Sequence, residues 1–317
     1  MARIITLINN LQLIRIPQER DERSIGELAL DTRVVDRYVE AGYAQQPKSK
    51  EEAKERGVKG WNGLNTSLVN YHIYSLPGQN IVVATLAPTR YLFRQAMEDL
   101  VQQGGLTEED ILKMSPNLTG SSLLVVGKQN QSPVLISQVK GNALGSGEVH
   151  AALAAGGMPG HYVTNTQTYP DPITAGLTKE AVEEIGTSFD SHKIAPHFLV
   201  GEEETGQSNF ANLLFGVLDL TDVLHTYENS VKKYLSIDNN KNKLEVAGIS
   251  ILPLDRPLFT IKNGERILAD VVSYTPSEKG TLERTIQDRR MRPYTQAVLD
   301  YLTQEPHLES MLRTIGF

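Results

Sequence analysis

Apolar residues gather along this chain mainly in short β-rich runs. One later segment has a period near four. Residues 4–16 are rich in Ile and Leu and suit a strand or a hairpin. Residues 27–41 read as a helix, and the charged stretch 48–59 as a solvated helix or loop. Two β-rich runs, 68–76 and 81–86, flank Pro77-Gly78 and predict a hairpin. Pro88-Thr89 opens an expected helix through Val101 that Gly104-Gly105 ends. Pro116 and Asn117 mark a boundary, so residues 1–117 are expected to form a smaller N-terminal α/β domain and 118–317 a second domain.

The second part begins with SSLLVVG and PVLISQV, separated by a polar KQNQS segment, which predicts a hairpin. A Gly-rich stretch, 141–160, follows. Strands are expected over 195–200, 211–220 and 244–252, with helices over 222–235 and 293–302. Pro293 suits the first turn of the last helix. There is no internal repeat and no low-complexity tract.

The clearest helix lies over 171–186. Asp171 suits the N-cap, Pro172 the first helical position and Gly186 the C-terminal stop. Ile173, Leu177, Ala181 and Ile185 recur every four residues and predict a core-facing stripe.

Composition narrows the chemistry. The chain has 317 residues, 40% of them hydrophobic and 22% charged, which is ordinary for a globular protein. It has no cysteine, which excludes disulfides, thiol catalysis and thiolate metal sites and fits a cytoplasmic setting. The net charge of -7 argues against a nucleic-acid binder. The N-terminal apolar residues are interrupted by Asn9, Asn10, Gln12 and Arg15, unlike a signal peptide, and no run is long enough to span a membrane. The seven histidines include no H-E-x-x-H pattern, and the chain lacks both a P-loop and a G-x-S-x-G elbow.

The acids of the 171–186 helix carry the chemistry. Glu180, Glu183 and Glu184 stand at i, i+3 and i+4, on one helical face. Like charges at that spacing destabilise a helix by ~0.2–0.5 kcal/mol per pair. A hard divalent cation offsets that repulsion, and magnesium prefers carboxylate oxygens. A solvated acidic face is the plain alternative.

The segment Lys179-Glu180-Ala181-Val182-Glu183-Glu184-Ile185-Gly186-Thr187 resembles the second half of the Nudix box, G-x5-E-x7-R-E-U-x-E-E-x-G-U, with U a bulky aliphatic residue. Lys179 stands in the Arg slot, Asp171 in that of the upstream Glu, and Ala181 and Thr187 are smaller than the usual aliphatics. Gly156-Gly157 resembles the opening Gly-Gly, with an insertion over 161–169 lengthening the gap to the helix. The order of elements over 118–302 resembles the family as well. PTRYLFRQA and the N-terminal extension are similar to a branch acting on nucleoside-diphosphate sugars.

The resemblance implies an α/β (α+β) chain: a Nudix α/β/α sandwich with a mixed β-sheet after the N-terminal unit. It implies a magnesium-dependent hydrolase, manganese being a substitute, that cuts the diphosphate linkage of a nucleoside diphosphate joined to another moiety. Glu180, Glu183 and Glu184 would be catalytic and hold the metal, with Lys179 orienting a carboxylate. A Lys lacks the bidentate fork of an Arg there. Lys140, Gly156 and Gly157 would meet the substrate. The general base is open among Asp171, Glu202, Glu203, Glu204 and Glu245, and Asp171 also reads simply as a cap. The substituted box positions leave a catalytically inactive nucleotide-binding or regulatory module as the alternative. The expected partner is a small nucleotide-type molecule, with a homodimer carried as an expectation and no membrane or nucleic-acid partner.

Overall fold

The computed structural model describes residues 2–7, 10–15, 36, 39–58, 60–77, 79–93, 99, 102–103, 117–129, 132–141, 147–186, 194–202, 207–215, 219–238, 244–255, 259–304 and 309. Alternation along strand β5 (Asn117–Gln129) divides the core in two. Leu123 and Val125 enter one hydrophobic cluster, while Leu124 and Val126 enter another. Strand β6 (Ser132–Lys140) does the same, with Val134 and Ile136 on the first side and Leu135 on the second. Successive side chains of a strand point to opposite faces, so both faces of the sheet must be covered.

Helices cover both. Helices α3 (Pro172–Glu184) and α4 (Leu220–Asp238) bury Ile173, Leu177, Ala181, Val223, Tyr227 and Val231 in the first cluster. Helix α5 (Pro293–Leu302) buries Tyr294, Val298, Leu299 and Leu302 in the second. Two shorter helices, α1 (Lys50–Glu55) and α2 (His161–Thr164), lie in connections. The chain is therefore a mixed α+β fold with large sheets and few helices.

The main path of the sheet runs β1 (Ala2–Leu7), β9 (Ile194–Glu202), β10 (Gln207–Phe215), β5, β6, β11 (Val246–Pro253), β13 (Glu265–Pro276) and β12 (Phe259–Lys262). Strand β10 pairs parallel with β5, whereas β5 and β6 pair antiparallel, so the sheet is mixed. Strand β14 (Leu282–Arg289) completes a meander on β13. The short strands β7 (Val149–His150) and β8 (Ala154–Gly157) pair with β6 and β5.

The N-terminal hairpin is β3 (Leu64–Leu76) and β4 (Gln79–Arg90), as the Pro77-Gly78 signal predicts. Strand β3 meets β5 through Ser67↔Leu118 and Leu68↔Asn117. Residues 4–16, expected as a strand or a hairpin, form two strands that do not pair as a hairpin: β1 lies antiparallel on β9, and β2 (Asn10–Arg15) lies parallel on β4. The residues between them lack the glycine that a two-residue turn favours. Pro88 and Thr89, expected to open a helix, still belong to β4, opposite Thr66 and Asn65. Helical backbone is described at 91–93, and most of the rest of that expected helix lies outside the described residues, as does most of 27–41. No helix among the described residues is long and apolar enough to cross a membrane.

Candidate active site

Helix α3 is held at both ends by local chemistry. Asp171 accepts hydrogen bonds from the backbone N–H groups of Ile173 and Thr174, each at 3.1 Å. It also accepts one from the Thr174 hydroxyl at 2.6 Å. These contacts fill the orphan donors of the first turn. Gly186 follows the helix at φ 80°, the left-handed conformation that glycine adopts without strain. The predicted stripe of Ile173, Leu177, Ala181 and Ile185 is buried.

A second row, Gly176, Glu180 and Glu184, lies beside that stripe at the same four-residue spacing. Helix α3 packs on β8 and β5. Gly176 faces β5, where an added Cβ would sit 3.0 Å from Ser121 Oγ. Glu180 and Glu184 continue the row toward β8, with side chains 13% and 1% exposed. Glu183 does not share this row and is 54% exposed. The fold thus brings Glu180 and Glu184 inward and leaves Glu183 on the rim.

Glu184 is fixed at both oxygens. Its Oε1 accepts from Lys140 Nζ at 3.2 Å, and its Oε2 accepts from Ala155 N at 2.9 Å. Lys140 closes strand β6, and its side chain is 5% exposed, so the pair is buried. Burial pushes the Glu184 carboxyl up to about 7, against the opposing pull of Lys140 and the Ala155 N–H, and Glu245 pushes it the same way. Each carboxylate oxygen retains further lone-pair capacity beyond these bonds.

Glu180 rests on Gly156. A Cβ built on Gly156 would stand 2.2 Å from Glu180 Cδ and 2.4 Å from its Oε2. Only glycine leaves the carboxylate that space. Gly157 differs, because its nearest such contact is Asn65 Oδ1 at 3.7 Å. Burial raises the Glu180 carboxyl above its ordinary range, Lys179 opposes the shift, and Glu183 and Glu245 add to it. Lys179 bridges the row and the rim, donating to Glu180 Oε1 at 2.9 Å and Glu183 Oε2 at 3.0 Å.

The base candidates separate by position. Asp171 is committed to the cap. Glu202 ends β9, and Glu203 and Glu204 lie outside the described residues. Glu245 precedes Val246, which pairs with Lys140, and Glu245 acts electrostatically on both Glu180 and Glu184. The backbone of Ala155 carried no sequence signal, and neither did the division between Glu183 and Glu184. The aromatic pair Tyr162 and Tyr169 lies in the segment before the helix, and nothing in the sequence sets the two rings against each other.

The residues fit a magnesium ion in donor chemistry. Two buried carboxylates are desolvated and a third acid, Glu245, adds to their charge, while Gly156 leaves open backbone beside Glu180. Among the described residues, no three His, Asp or Glu side chains already converge as a ligand set.

No family model and no curated protein matches the chain. Among solved structures, a crystal structure of a MutT/nudix family protein from Enterococcus faecalis aligns over 69% of this chain and 79% of its own, at 8% identity and a TM-score of 0.33. At that level the likeness decides nothing about chemistry.

Proposed function

We propose that the chain is a Nudix-type hydrolase that cuts the diphosphate linkage of a nucleoside diphosphate joined to another moiety, a nucleoside-diphosphate sugar among the candidates. The observation that carries the reading is the position of the box residues. The last Glu of the box-like segment, Glu184, is buried and held by Lys140 and Ala155 N. The first, Glu180, lies on the first glycine of the Gly-Gly pair. Helices on both faces of a mixed sheet support the α/β/α arrangement that the resemblance implies.

Glu180 and Glu184 are the residues that would hold magnesium, with Glu183 at the rim. The ion, when bound, supplies charge neutralisation for diphosphate oxygens and lowers the pKa of a bound water. The chain does the positioning. Lys140 and Ala155 N fix the Glu184 carboxylate in one orientation, and Lys179 steadies Glu180. Glu245 is the carboxylate we assign to accept the proton of the attacking water, because among the described residues it acts on both buried acids. Phosphoryl transfer needs little more than such placement and charge stabilisation.

The test is a magnesium-supplemented panel of nucleoside-diphosphate sugars, ADP-ribose, dinucleotides and nucleoside triphosphates, with products separated by chromatography. Cleavage between two phosphorus atoms of at least one compound is the expected result. Binding of panel members without product would assign the chain to the inactive-module alternative.

A further inference from the structure

The segment before helix α3 lines a cleft beside the hydrolytic site, with Lys179 and Glu183 at their common edge. Helix α2 and the following turn lay Tyr162 and Tyr169 against each other, with ring centroids 4.1 Å apart at a 36° tilt. His161 meets both rings edge-on. Tyr162 and Tyr169 line, together with Ala175, Thr178 and Val182 of α3, a broad open cleft of about 560 Å³. Val182 is 49% exposed, an apolar side chain left uncovered there.

The cleft is anchored. Arg15 of β2 donates to the backbone oxygens of Tyr169 (2.8 Å) and Pro170, tying the segment to the N-terminal sheet. It also adjoins the acids. Lys179 lines the cleft while bonding Glu180, and the Tyr162 hydroxyl is raised chiefly by burial, with Lys179, Glu180 and Glu183 all acting on it.

The rim decides the occupant. Asp171, whose carboxylate caps the helix, and the exposed Glu183 both line the cleft, and Lys179 is already paired with two acids. A phosphate there would find its nearby cations already engaged, Lys179 by Glu180 and Glu183 and Arg15 by the backbone and Asp171. An uncharged planar ring would meet the half-buried Tyr169 and the aliphatic side chains of Ala175 and Val182, and its N–H groups would find the exposed Glu183 carboxylate as acceptor. We propose that this cleft binds the nucleobase of the substrate, while the diphosphate lies toward Glu180 and Glu184. The assignment deepens the proposed function and rests on it for the nucleotide nature of the substrate.

Titration calorimetry with free adenosine and uridine tests the cleft without any hydrolysis, with ribose 5-phosphate as the comparison. Two variants perturb it: Tyr169→Ala removes a stacking face, and Val182→Trp fills the cleft from an exposed position. Circular dichroism confirms that each is folded. Nucleosides are expected to bind the wild-type chain more tightly than ribose 5-phosphate. Each variant should weaken that binding by roughly tenfold or more, the scale of one base–aromatic stack. That result supports the cleft even if no diphosphate compound is cut. Failure of nucleosides to bind, or equal binding by folded variants, overturns it. If the panel is hydrolysed and both variants keep the wild-type KM, the cleft is likewise overturned while the hydrolase reading stands.

Discussion

Lys140 Nζ lies 3.2 Å from Glu184 Oε1, and both side chains are sealed from solvent. The pair joins the end of β6 to the last turn of α3, two elements 44 residues apart in the chain. Breaking a buried pair by removing one partner costs about 3–5 kcal/mol, because the other charge stays desolvated. Lys140→Met is therefore expected to destabilise the protein on that scale at pH 8. At pH 5.5 the loss should be smaller, since Glu184 can then take up a proton. Denaturant unfolding at both pH values checks this.

Gly156 and Gly157 make a paired test. A methyl group on Gly156 meets the Glu180 carboxylate at 2.2 Å, but that carboxylate ends a flexible side chain that can swing away. Gly156→Ala is thus expected to cost less than about 1 kcal/mol in stability, within the range of mild substitutions. Hydrolytic turnover should fall by about 100-fold, equivalent to about 3 kcal/mol of barrier. Gly157→Ala meets no comparable obstacle and should retain near-normal turnover. Steady-state kinetics on the two variants separates them.

The Glu184 carboxyl gives stability a pH dependence of definite sign. Its folded-state value of about 7 lies above its ordinary value of 4.5. The folded chain therefore binds more protons than the unfolded chain between those values. Stability from this group falls as pH rises through the window from 4.5 to 7 and is level above it. The size is of the order of 3 kcal/mol. Thermal melts in a chelating buffer should show this decline for the wild-type chain and a flatter curve for Glu184→Gln.

Asp171 distinguishes a cap from a base. Its carboxylate is spent on Ile173 N, Thr174 N and the Thr174 hydroxyl. Asp171→Ala should cost about 1 kcal/mol of stability, the usual worth of an N-cap. Turnover should change by less than about threefold, under 1 kcal/mol of barrier. A loss beyond 100-fold in a fully folded variant would return Asp171 to the reaction.

Helix α3 was legible in the sequence because its signals are local. The cap, the proline, the stripe and the glycine stop all act within a few residues, and the helix ends where they say. Lys140 was legible as a basic strand end, but its partner was not, because that contact spans distant elements. The i, i+3, i+4 spacing placed three acids on one broad face. Packing on β8 then narrowed that face to the Gly176–Glu180–Glu184 row and left Glu183 outside. Strands β1 and β2 have apolar patterns that announce strands without naming partners, so their separation onto β9 and β4 was not readable. The β12–β14 meander was missed although Asn263-Gly264, at φ 52° and 81°, is a strong hairpin-turn pair.

The most direct measurement sets Glu184→Gln beside Glu183→Gln on whichever diphosphate compound the wild-type chain cuts with magnesium. Glu184 is buried and fixed by two donors, whereas Glu183 is 54% exposed and bonds Lys179 Nζ at the surface of the helix. The account predicts at least a 100-fold loss of turnover, about 3 kcal/mol, for Glu184→Gln and less than tenfold for Glu183→Gln. Near-normal turnover by folded Glu184→Gln, or a larger loss in Glu183→Gln, would contradict it.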